Sequence, residues 1–133
     1  MRDDSMEADL RIGPRILAVP VIHGSADCAL EVRRMMLRKS FDCVALPLPP
    51  SFQADVEAGV EQLPIPGIVV QREQSPLSSE WSDEWDPDSA DREPSVSYVP
   101  IDPCQTVIEA LRSAIGVRLP RAFIDLETRQ FES

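Results

Sequence analysis

The sequence predicts an α/β fold: a predominantly parallel sheet of four or five strands, flanked by about three helices, with an acidic loop inserted between two of the strands. Three observations lead there. Short apolar runs alternate along the chain with stretches whose apolar residues recur at helical spacing. The connections between them are brief, which favours strand–helix–strand units with helices packed on the sheet. A chain of 133 residues is also one domain's worth of protein, enough to bury about two-thirds of the surface its unfolded form exposes. The expected organisation is an N-terminal tail over 1–14, one α/β domain over 15–127 containing a mobile acidic loop at 73–95, and a C-terminal tail over 128–133.

The first expected strand runs from Arg15 to Ile22. Pro20 cannot donate to a ladder, so this strand belongs at an edge or is distorted near its end. After the His23-Gly24 turn, Ser25 is placed to cap a helix reaching about Lys39, with Cys28, Val32, Met35 and Met36 on one face. Asp27 and Glu31 sit early in it and Arg33, Arg34, Arg38 and Lys39 late, as the helix dipole favours. A second strand, Phe41 to Leu46, stops at Pro47-Leu48-Pro49-Pro50. Ser51 then caps a helix with the stripe Phe52, Val56, Val60 and Leu63, weakened modestly by Gly59. A third strand is expected near Ile68 to Gln71 and a fourth from Ser95 to Ile101. Asp102 as cap, Pro103 at the first helical position and Gln105 as capping-box partner open the last helix. Val107, Ile108, Leu111 and Ile115 form its buried face, and Gly116 closes it. A last strand spans Ala122 to Leu126.

Charge narrows the function classes. The chain carries a net charge of -10, but residues 73–95 hold eight of the 23 acids against one base, Arg92, leaving twelve bases against fifteen acids elsewhere. A nearly balanced body with an acidic insert argues against a nucleic-acid partner, because a phosphate backbone rewards basic stripes. No apolar run approaches the roughly 20 residues of a membrane helix, so no membrane association is expected. Met1 to Leu10 carries four acids against one Arg and no apolar signal core, which points to the cytoplasm. Cys28, Cys43 and Cys104 lack C-x-x-C spacing and read as reduced thiols packed in the core.

In a parallel sheet the chemistry collects beyond the carboxyl ends of the strands, which singles out His23, Pro47, Gln71 to Glu73, Asp102, and Asp125 to Glu127. His23, the lone histidine, stands at a strand end before a helix N-terminus. It reads either as a general base or as a turn residue bonded to a carbonyl. Asp125 and Glu127 have the spacing at which two carboxylates share a proton or a divalent ion, and equally that of acids capping a turn or pairing with Arg. Asp102 is better explained as a cap. No phosphate loop, dinucleotide-binding glycine pattern or G-x-S-x-G elbow is present, and one histidine cannot build a two-histidine zinc site. Trp81 and Trp85, at i and i+4 within the acidic insert, suit a docking peptide for a protein partner, or else a solvated loop.

Four motifs carry a family resemblance: V-I-H-G-S-A at the first helix, D-C-V-A-L before the prolines, Y-V-P-I-D-P-C-Q-T-V-I-E-A-L-R, and R-A-F-I-D-L-E near the end. In this order, over Arg15 to Glu127, they resemble a bacterial superfamily that includes erythromycin-esterase-like, ChaN-like and TraB-like proteins, and within it an uncharacterised cytoplasmic family. The resemblance implies a strand-end histidine, here His23, acting with acidic residues at other strand ends in a hydrolytic or metal-assisted site. Pro47 stands where the family pattern has a glutamate, and relatives are considerably longer. The expectation is therefore a truncated or degenerate member, a non-catalytic binding or assembly module with no cofactor. The alternative is an esterase-like or metal-assisted hydrolase, with His23 as base and Asp125 and Glu127 orienting it or holding a divalent cation.

Overall fold

The computed structural model describes residues 10–72 and 96–127. Among these residues ten elements follow one another. Strands β1 (Arg11–Ile12) and β2 (Ile16–Leu17) precede helix α1 (Ala26–Arg38) and strand β3 (Val44–Leu46). A 3-10 turn (Pro50–Phe52) leads into α2 (Gln53–Glu61), followed by β4 (Gly67–Arg72) and β5 (Val96–Ile101). Helix α3 (Thr106–Gly116) and β6 (Arg121–Phe123) complete the set.

The expected four- to five-stranded parallel sheet is not what forms. Among the described residues the strands make three separate pairs: β1 with β2 antiparallel, β3 with β6 parallel, and β4 with β5 antiparallel. Proline accounts for much of the difference. Pro20 removes a donor from the first apolar run, so only Ile16–Leu17 pairs, and it pairs with β1 across the turn at Gly13, whose φ is +70°. The hairpin thus reaches into residues 1–14. Val19 and Val21 still pack against the core through their side chains. Pro47 ends β3 after three residues.

The antiparallel β4–β5 pair has a second cause. A parallel crossover needs a helix to cover the sheet, and residues 73–95 between these strands offer no apolar stripe to build one. The two strands pair antiparallel, with Val69 opposite Val99 and Val70 opposite Tyr98. Only β3 and β6 keep the parallel geometry, pairing Leu46 with Phe123, and the ladder bonds continue past the strand ends through Ile124 N–H to Leu46 O and Asp125 N–H to Leu48 O.

The helices follow the sequence pattern more closely. Ser25 caps α1, its Oγ accepting from Cys28 N–H at 3.3 Å, and Val32 is buried. In α2 the stripe Phe52, Val56 and Val60 is buried, although Phe52 rather than Ser51 is the N-cap because the 3-10 turn intervenes. Helix α3 starts at Thr106, later than expected. Asp102 Oδ1 accepts from Cys104 N–H at 2.8 Å in a tight turn, Pro103 stays outside the helix, and Gln105 becomes the N-cap without a side-chain cap bond. One core, with Leu46, Phe52, Val56, Ile101, Ile108, Leu111 and Phe123 at its centre, joins all three helices to the β3–β6 and β4–β5 pairs. Cys28 is half-buried but Cys43 and Cys104 are exposed, contrary to the expected core role. All three are free thiols.

Candidate functional site

Of the residues singled out at the strand ends, His23 and Asp102 lie on the segments that enter α1 and α3, Gln71 lies in β4, and Asp125 and Glu127 follow β6. His23 is exposed in the turn before α1. Its neighbour Gly24 adopts φ +72°, a left-handed conformation that an L side chain rarely takes, which turns the chain into the helix. Gly24 N–H donates to Gln105 Oε1 at 3.2 Å, so the starts of α1 and α3 are tied side by side. Gln105, expected as a capping-box partner for its own helix, instead closes the turn of another. The His23 imidazole has no hydrogen-bond partner among the described residues.

Asp125 and Glu127 follow β6 and diverge in what they bind. Asp125 Oδ1 accepts from Leu126 N–H at 2.8 Å, and its own N–H continues the ladder to Leu48. Glu127 Oε1 accepts from Ser51 N–H at 2.7 Å, placing a carboxylate at the start of the 3-10 turn and α2, where free backbone N–H groups favour negative charge. Gln71 completes this contact. Its Nε2 donates to Ser51 O at 2.9 Å, while Ser51 Oγ donates to Gln71 Oε1 at 3.1 Å. The cluster Ser51, Gln71 and Glu127 therefore clasps the turn after Pro49 from two strand ends.

The sequence pattern puts Gln71 and Glu127 at strand ends and gives Ser51 the role of a cap. In the fold Ser51 is the residue being capped. No local spacing carries that signal, because the partners lie 20 and 76 residues away.

The structure does not bring His23, Asp125 and Glu127 into one hydrogen-bonded group. Two concavities, of about 230 and 670 Å³, lie elsewhere: one between α1 and α3, lined by Met36, Leu37 and Glu109 among others, and one beside the β1–β2 hairpin. In the first, Glu109 is buried, with Arg33 Nε and Arg112 Nη1 each 3.8 Å from its carboxylate. Among the described residues no group of three or more His, Cys, Asp or Glu side chains is placed to hold a metal ion. Trp81 and Trp85 lie outside the described residues. No helix among the described residues is long and apolar enough to cross a membrane.

Compared with known proteins, the chain matches no family model, and neither a curated protein nor a solved structure shows significant similarity to it.

Proposed function

We propose that the domain is a non-catalytic binding or assembly module, with Trp81 and Trp85 as the side chains its sequence offers to a protein partner. The observation that carries this reading is how the strand-end carboxylates are used. A histidine acting as base needs an acidic partner within hydrogen-bond reach to set its tautomer, and Glu127 is engaged with Ser51 while Asp125 is folded onto Leu126 N–H. Pro47 cannot supply the missing acid. Within the superfamily that the motifs resemble, the chain would stand as a degenerate member.

The test is direct. Purified protein is assayed against simple aryl esters and lactones, with and without magnesium, manganese or zinc. No turnover above buffer is expected, and His23→Ala should shift stability by less than about 0.5 kcal/mol, as for other exposed positions. Metal-dependent or metal-independent turnover that His23→Ala abolishes, with the circular dichroism spectrum unchanged, would replace this reading with a hydrolase.

A further inference from the structure

We propose that the outer face of the β4–β5 ribbon is a self-association surface, on which a second copy of this chain docks about a two-fold axis. Successive side chains of a strand alternate between faces. Ile68, Val70 and Arg72 therefore share one face, with Pro100, Tyr98 and Val96 directly across from them. The other face carries Val69, Val99 and Ile101 into the core. On the outer face Ile68 is 65% exposed, Val70 54%, Val96 50% and Tyr98 67%. Single apolar residues in water need no explanation, but a contiguous apolar patch on paired strands does.

The size of the patch suits a weak dimer. Covering the exposed parts of these four side chains removes on the order of 450 Å² per copy, a size to set against that of specific interfaces. Two copies then bury about 900 Å², within the roughly 1,200 Å² below which weak, transient contacts fall.

Register and charge select a second copy in one orientation. The pair Val70 and Tyr98 sits at the middle of the face. A two-fold rotation through it lays the Arg72–Val96 end of one copy over the Ile68–Pro100 end of the other, and a two-fold contact must be complementary to itself in this way. Arg72 is the charged residue at one end. Asp102, two residues beyond Pro100, carries the opposite charge at the other end, where its Oδ1 accepts from Cys104 N–H. The acidic segment 73–95 leaves from Arg72 and returns at Val96. The same rotation sets the Arg72 and Val96 attachment points of the two copies, between which the sequence carries eight acids against one base, at opposite ends of the interface. A parallel arrangement would bring these like charges together.

This surface stands apart from the non-catalytic reading, since a catalytic domain could carry the same face. Sedimentation of the full chain between about 5 and about 200 µM tests it. A concentration-dependent dimer is expected. Tyr98→Asp and Val70→Lys should each weaken it at least about tenfold with unchanged circular dichroism, two separate variants guarding against a folding failure in one. Leu37→Asp, on an exposed residue of α1, should leave it intact. A monomer throughout, or a dimer indifferent to both ribbon variants, overturns the proposal. So does a monomer whose Trp81 and Trp85 emission moves to longer wavelength in Tyr98→Asp, since the chain's own segment would then occupy the face.

Discussion

The pair Glu57 and Arg121 is the strongest polar contact within the described fold. Arg121 Nε and Nη2 donate to the two carboxylate oxygens at 2.6 and 2.8 Å, and Gln53 adds a third donor at 3.0 Å. Both side chains are mostly covered, so solvent screens the pair less than an exposed one. The hydrogen bonds from Arg121 hold the Glu57 carboxyl below its usual range, and the same contact raises the Arg121 guanidinium. Because the folded value of Glu57 is depressed, its stabilisation is fully present above the ordinary glutamate range and is lost as pH falls through the folded value. Replacing Arg121 by Met strands a partly buried carboxylate, at a cost of about 1 to 3 kcal/mol near neutrality. Urea midpoints measured from neutral to acidic pH should show that deficit shrinking on acidification. A deficit that stays constant with pH would mean that Arg121 acts through packing alone. Sequence patterning is blind to this contact, because its partners are 64 residues apart on α2 and β6.

At the level of elements, Gly116 illustrates what local rules can and cannot place. The sequence marks it as the residue that closes α3, yet it is the last helical residue, and the left-handed position falls two residues later on Arg118, with φ 56°. Leu119 N–H reaches Ala114 O and Arg118 N–H reaches Ile115 O, the paired bonds of a Schellman ending. An L residue in that conformation carries a strain of about 1 to 2 kcal/mol, which glycine lacks. Arg118→Gly should therefore raise stability by roughly 0.5 to 1 kcal/mol, after allowing for the entropy glycine adds to the unfolded chain. A thermal melt that moves down instead would assign the Arg118 side chain a stabilising contact. Gly59, by contrast, looks like a weak point in α2 until the packing is considered. A Cβ there would meet Ile101 Cγ1 at 3.1 Å, and Ile101 is fully buried. The glycine lets the helix close on β5. Gly59→Val should cost about 1 to 3 kcal/mol through overpacking, read as a lower urea midpoint with an unchanged slope.

The whole molecule shows why helices were legible in the sequence and the sheet was not. Caps and stripes such as Ser25 with Cys28, or Phe52 with Val56, are set by neighbours three or four residues apart, so a single sequence carries them. Strand partners are set at long range, and among the described residues each ladder is two strands wide. The same applies to the candidate site, where Glu127 lies beyond the end of β6 and its partner Ser51, 76 residues away, leaves no mark in local spacing. Two-stranded pairs are marginal in water unless something packs on them, so the shared core must supply the cohesion. Leu111 sits at its centre with no exposure, while Ile16 of β2 is exposed and outside it. Leu111→Ala should cost about 3 to 5 kcal/mol and lower the urea midpoint reported by every part of the chain together. Ile16→Ala should cost under about 0.5 kcal/mol. Amide hydrogen exchange then separates two levels of stability: α3 and the β3–β6 bonds open only with global unfolding, whereas the β1–β2 hairpin exchanges through local opening. If the hairpin amides were protected as strongly as Leu111, the short β1–β2 pair would belong to the core's cooperative unit, and Ile16→Ala would have to destabilise the domain as a whole.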